Sequence, residues 1–132
     1  MKLKNTKSQA GLTLIEVTLV IAVLLGLVSV LFIGVNAYKA GSDRAQCIVT
    51  IATVQKAVRS YQNLNNLAET DEVLLGTIAS STNANAMIGA APTCPARGTY
   101  SSADEVPATG TAYLTCSLSA SDNHVPASTD GW

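Results

Sequence analysis

Residues 12–35 read LTLIEVTLVIAVLLGLVSVLFIGV, and 18 of these 24 residues are apolar. The exceptions are Thr13, Glu16, Thr18, Gly26, Ser29 and Gly34. As a helix the stretch is about 36 Å long at ~1.5 Å per residue. A bilayer hydrocarbon core is ~30 Å thick. No polar stripe of the kind that faces water on a soluble helix runs through it. The stretch therefore reads as a membrane-inserted helix.

Ahead of it lies MKLKNTKSQAG, with Lys2, Lys4 and Lys7 and no acid. Positive charge before an apolar span holds that end in the cytoplasm, so the remainder is expected outside. An ordinary cleaved secretory signal is the alternative. Against it, the apolar stretch exceeds the ~7–15 residues of a signal core. The nearest small-x-small site, Ala37–Ala40, is weak. Glu16 is the anomaly: a carboxylate in an apolar span costs up to ~2.5–3.5 kcal/mol near the bilayer centre, and so calls for a partner. A headgroup-level position beside the helix N-terminal dipole is the simpler account.

The basic leader, Gly11 and then LTLIEVTLVIAVLL together resemble the class III signal of type IV prepilins and type II secretion pseudopilins. The resemblance covers about the first 35 residues. It implies cleavage by a prepilin peptidase between Gly11 and Leu12, N-methylation of Leu12, and retention of the apolar helix. The family most often carries Phe where this chain has Leu12. Glu16 matches the family's glutamate, which pairs with the N-terminal amine of a neighbouring subunit during assembly. The implied protein is a pilin or pseudopilin that polymerises with copies of itself. Its other partners are the peptidase/methyltransferase, an inner-membrane assembly platform and a separate ATPase. It sits in the bacterial inner membrane, leader inside, before joining an extracytoplasmic filament.

Beyond Asn36 the pattern becomes periodic. Cys47, Ile51, Val54, Val58 and Tyr61 recur at i, i+4, i+7, i+11 and i+14, one face of a helix. Asp43, Arg44, Lys56, Arg59 and Gln62 fall mostly elsewhere. No Pro occurs before Pro92 to break the run, and Asn63, Asn65 and Asn66 suggest its end. One helix from about Leu12 to about Asn66 is expected, roughly 80 Å at ~1.5 Å rise. The fold class is α+β and pilin-like. The second half of the long helix should pack on a short helix and a small antiparallel sheet. The organisation expected is a leader (1–11), an assembly half-helix (12–35), an amphipathic half-helix (36–66) and a small globular region (67–132).

In that last region Thr70 is expected to N-cap a short helix, with Asp71 and Glu72 in its first turn and Leu74, Leu75 and Ile78 on one face. Gly98–Ser102 and Thr111–Leu118 read as strands. In the second, Ala112, Leu114, Cys116 and Leu118 form the apolar face, and Tyr113 the opposite one. Trp132 is a candidate anchor for the tail. Only 17 Val, Ile, Leu, Met or Phe residues follow Val35, so the core is marginal without a covalent staple.

Cys47, Cys94 and Cys116 allow one disulfide and three pairings. Cys94 and Cys116 flank the hairpin, and Cys116 shares the sheet face that should cover Cys47. Cys94–Cys116 is the expected pair, with Cys47 unpaired or an alternative partner. With no CxxC spacing, a Cys₃ metal site is not expected. The segments CPARGTYS and YLTCS also look like the short C-terminal sheet of pseudopilin-like proteins.

Catalytic chemistry is nearly absent. His124, the single His, has no evident nucleophile or acid and reads as a loop or surface residue. No phosphate-binding Gly loop or HExxH occurs, so no enzyme and no cofactor are expected. Asp104, Glu105, Asp122, Asn123 and Asp130 offer oxygen ligands. The resemblance implies calcium in a C-terminal loop, as in major pseudopilins, but EF-hand spacing is missing and solvated acids are the plainer reading. No nucleic acid is expected, since Arg97 is the one basic residue after Arg59. Two rivals remain: a minor pilin for adhesion or DNA uptake, and an anchored single-pass domain that does not polymerise. After the implied cut, 121 residues carry 5 basic and 9 acidic side chains, so the net charge moves from −1 to −4.

Overall fold

The computed structural model describes residues 11–132; Lys2, Lys4, Lys7 and the rest of the leader before Gly11 lie outside the described residues. The fold is α+β. A long helix, α1 (Leu14–Asn65), is followed by a short helix α2 (Leu75–Ile78) and strands β1 (Tyr100–Ser102) and β2 (Leu114–Cys116). The chain divides into two compact units, one ending at Tyr38 and one spanning Lys39–Trp132.

In the first unit α1 is long and apolar enough to cross a membrane. Its large apolar side chains from Leu12 to Val35 are all exposed. Two of its polar side chains bond to their own backbone: the Thr18 hydroxyl donates to the Ile15 carbonyl at 3.0 Å and Ser29 to Leu25 at 2.8 Å. Such back-bonding hides hydroxyls where the surroundings offer no water.

In the second unit α1 buries Cys47, Ile51, Val54, Gln55, Ala57 and Val58, with Tyr61 packed partly against the same cluster. The helix ends in a Schellman-type turn. Asn66 takes a left-handed φ of 50°, and the Leu67 N–H reaches back to the Gln62 carbonyl at 3.0 Å. Asn tolerates that conformation better than other non-glycine residues, so the Asn cluster does mark the end.

Three local expectations change. Thr70 does not cap a helix. It lies at φ 73°, and its N–H donates to the Val106 carbonyl at 3.0 Å. Residues 71–73 run extended beside 104–106, with Glu72 and Glu105 bridged, because this pairing buries Val73 and Val106 together. Helix α2 starts only after Leu74, without a side-chain cap; Ile78 is buried, Leu75 packs partly on the core, and Leu74 is exposed. The strands are three residues each, paired antiparallel with Tyr100 opposite Cys116 and Ser102 opposite Leu114, shorter than the expected spans. The chain turns away at Asp104 and Gly110, both at positive φ.

Tyr113 is the third correction. It precedes β2, escapes the strand alternation and is buried. Its hydroxyl donates to the Val73 carbonyl at 2.6 Å, and its N–H to Gln55 Oε1 at 2.8 Å. Trp132 does anchor the tail, packing on the core while its carbonyl accepts from Arg59 Nη2 at 3.0 Å.

Candidate functional site

Two places carry unusual chemistry. The first is the start of α1. Gly11 and Leu12 are exposed and precede the helix. Thr13 and Glu16 form a reciprocal cap. The Thr13 N–H and hydroxyl each donate to Glu16 Oε2 at 2.8 Å, and the Glu16 N–H lies 3.4 Å from Thr13 Oγ1. This is the T-x-x-E capping box, which satisfies helix-terminal donors from both ends. Thus Glu16 has a partner within its own chain. The spacing Thr13–Leu14–Ile15–Glu16 was the available signal for it in the sequence.

The second is a cluster of sulfur and imidazole in the Lys39–Trp132 unit. Cys47, Cys94, Cys116 and His124 are all buried, and one ligand atom from each lies within 4.8 Å of the others. Cys116 Sγ is 3.9 Å from Cys94 Sγ, which is 3.7 Å from His124 Nδ1. All three cysteines are free thiols. The expected Cys94–Cys116 neighbourhood is therefore present, without a bond, and Cys47 belongs to the same cluster. His124 does lie in a loop, but that loop is not at the surface: the side chain is only 3% exposed.

Four separate segments build this cluster. Cys47 stands on the buried stripe of α1. Cys94 opens a turn in which Arg97 takes a left-handed φ of 66° and donates its N–H to the Cys94 carbonyl at 3.1 Å. Cys116 lies on the inward face of β2. After β2 the chain coils tightly. The Leu118 carbonyl accepts from the N–H groups of Asp122 (3.0 Å) and His124 (3.3 Å), and this folds His124 back towards the sulfurs. Gly98 passes so close that a Cβ there would stand 3.0 Å from Cys116 Sγ.

The sulfurs differ in environment. Burial pushes the Cys47 thiol up to about 12, against the opposing effect of the Tyr100 hydroxyl, which donates to Cys47 Sγ at 3.2 Å. Burial also raises the Cys94 thiol, but the N–H groups of Ala96 and Gly98, with the Cys116 and Cys47 thiols, outweigh it and hold Cys94 below the usual range. Tyr100 itself is pushed up, first by burial and then by its bond to Cys47.

Periodicity did place Cys47 and Cys116 on facing surfaces. It carried no sign of His124, whose position depends on an irregular turn. Among the described residues, Asp104, Glu105, Asp122 and Asp130 do not gather three or more in one place. Asp104 instead takes the Ser102 hydroxyl and Asp122 the Ser121 hydroxyl at 2.7 Å. No protein-family model, curated protein or solved structure matches this chain.

Proposed function

We propose that the chain is a filament subunit of the pilin or pseudopilin kind, stored in the membrane through residues 12–35 and assembled through the same surface. The observation that carries this reading is that every large apolar side chain from Leu12 to Val35 is exposed. Exposed apolar area of that extent is covered by lipid or by other copies. The order of a basic leader, Gly11, Leu12 and Glu16 supports a cut after Gly11 with Leu12 methylated. In a packed fibre the Glu16 carboxylate would leave Thr13 for the amine of a neighbouring Leu12. The Thr13 donors leave the carboxylate's charge uncompensated, whereas an amine brings the opposite charge that a carboxylate removed from water calls for. The protein does no chemistry of its own here, and force comes from a separate ATPase and platform.

The capping box favours a second reading, a single-pass anchored domain. Glu16 already has two donors in its own chain, so no neighbour is needed to satisfy it.

The test is intact-mass and N-terminal sequencing of the chain from membranes of a host with a prepilin peptidase, beside Glu16→Ala and Glu16→Gln variants. The filament reading expects a methylated Leu12 terminus and loss of sheared filaments in both variants. A terminus elsewhere, or filaments indifferent to Glu16, overturns it. The anchored domain expects membrane retention without filaments in every variant.

A further inference from the structure

We infer that Cys47, Cys94, Cys116 and His124 form a tetrahedral Zn²⁺ site that staples the Lys39–Trp132 unit. The geometry is the main argument. Zinc binds thiolate sulfur at ~2.3 Å and imidazole nitrogen at ~2.0–2.1 Å, so a regular tetrahedron places its sulfurs ~3.8 Å apart and sulfur from nitrogen ~3.6 Å. The observed separations are 3.9 Å for Cys116–Cys94 and 3.7 Å for Cys94–His124 Nδ1. All four atoms fall within 4.8 Å of one another. A disulfide would use two of these groups and leave a third thiol and an imidazole buried beside it with no role. A single ion uses all four.

The surroundings suit a charged centre. Three thiolates and one Zn²⁺ carry a net charge of −1, which needs donors when buried. The Tyr100 hydroxyl donates to Cys47 Sγ, and the N–H groups of Ala96 and Gly98 bear on Cys94. Soft thiolates with one imidazole favour zinc over calcium or magnesium, which take oxygen ligands. Loading is a ligand exchange without electron transfer. Three S–H bonds break and their protons pass to solvent, the hydrated ion gives up its water ligands, and three Zn–S bonds and one Zn–Nδ1 bond form with the His124 proton carried on Nε2.

The site also answers an energetic need. The unit's strands are three residues long, and a core this small is ordinarily supplemented by disulfides or metal. One ion joins α1, the Cys94 turn, β2 and the turn after it. The inference is independent of the filament reading, because no ligand lies in residues 12–35.

The experiment uses the full chain in detergent, purified without chelator. Elemental analysis is expected to find one zinc per chain. Alkylation is expected to leave all three thiols unmodified until a chelator is added. Cobalt replacing zinc is expected to show tetrahedral visible bands and a thiolate charge-transfer band. His124→Ala should weaken cobalt binding at least ~10-fold, since even indirect supports of a ligand are worth ~10–100-fold, and His124→Cys should restore it. If His124→Ala does not fold, alkylation of the unaltered chain with and without chelator decides alone. Three thiols that react equally fast under both conditions overturn the site. So does a chain isolated two hydrogens lighter with Cys94 joined to Cys116, or a cobalt complex without charge transfer.

Discussion

Gln55 Oε1 accepts the backbone N–H of Tyr113 at 2.8 Å, joining the C-terminal part of α1 to the approach of β2. Its amide nitrogen donates to the Thr111 carbonyl at 3.2 Å. Gln55 thus acts as a short substitute strand, completing a ladder that the truncated sheet leaves open. Among the described residues it is one of two buried polar residues, His124 being the other. Replacement by Leu keeps the volume but orphans the buried Tyr113 N–H. Gln55→Leu is expected to cost about 1–3 kcal/mol. Urea unfolding of the full chain in detergent, followed by Trp132 fluorescence, checks this; an unchanged midpoint refutes it.

The other end of Tyr113 sets an alkaline limit. Burial, aided by the Asp104 charge, pushes its phenol up to about 12, above the ~10 of an unfolded chain. The folded state therefore holds the proton more tightly. Its contribution is complete below pH ~10 and is lost as pH rises towards about 12. Tyr113→Phe is expected to flatten that part of the pH–stability curve while costing about 1 kcal/mol at neutral pH through the lost bond to Val73. Denaturant midpoints from pH 7 to 12 would reveal a slope that is identical in both proteins if this assignment is wrong.

Gly98 sits tightly against two side chains. A Cβ would meet Cys116 Sγ and Leu118 Cγ, each at 3.0 Å. Gly98→Ala should destabilise the unit by roughly 1–3 kcal/mol, the usual range for overpacking. Gly76→Ala and Gly89→Ala, where nothing lies within 4 Å, serve as controls expected to be neutral or up to about 1 kcal/mol more stable than the parent. Comparable thermal midpoints for all three would contradict the contact.

The cap at Thr13 predicts a local effect. Thr13→Ala removes the hydroxyl donor to Glu16 and should loosen the first turn by about 0.5–2 kcal/mol, whereas Thr13→Ser retains the cap. Faster amide exchange is expected at Glu16 and Val17, whose N–H groups bond to the Thr13 carbonyl at 3.1 and 3.3 Å. Exchange that Ala and Ser leave equally slow would show the box to be unimportant.

The regular parts of the fold were legible because they rest on period. A 3.6-residue repeat from Cys47 to Tyr61 is a local property of the chain, and the buried stripe follows it. The Asn run at the helix end is equally local, since a left-handed residue is chosen by its own sterics. At Thr70 good capping chemistry loses to pairing between 71–73 and 104–106. Tyr113 escapes the alternation because period 2 holds only inside a strand, and β2 begins one residue later.

The sequence by itself determined the long helix, its exposed apolar half, its buried stripe and its stop, because each is set by neighbours a few residues away. Only the tertiary structure decided which residues between Asn66 and Trp132 would cover that stripe. It also decided that Cys47, Cys94, Cys116 and His124 would meet at one point. Those four are brought together by an irregular turn and a pair of three-residue strands. Such elements have no periodic signature, and their paths are set by the burial of Val73, Val106 and Tyr113 rather than by any local preference of the chain.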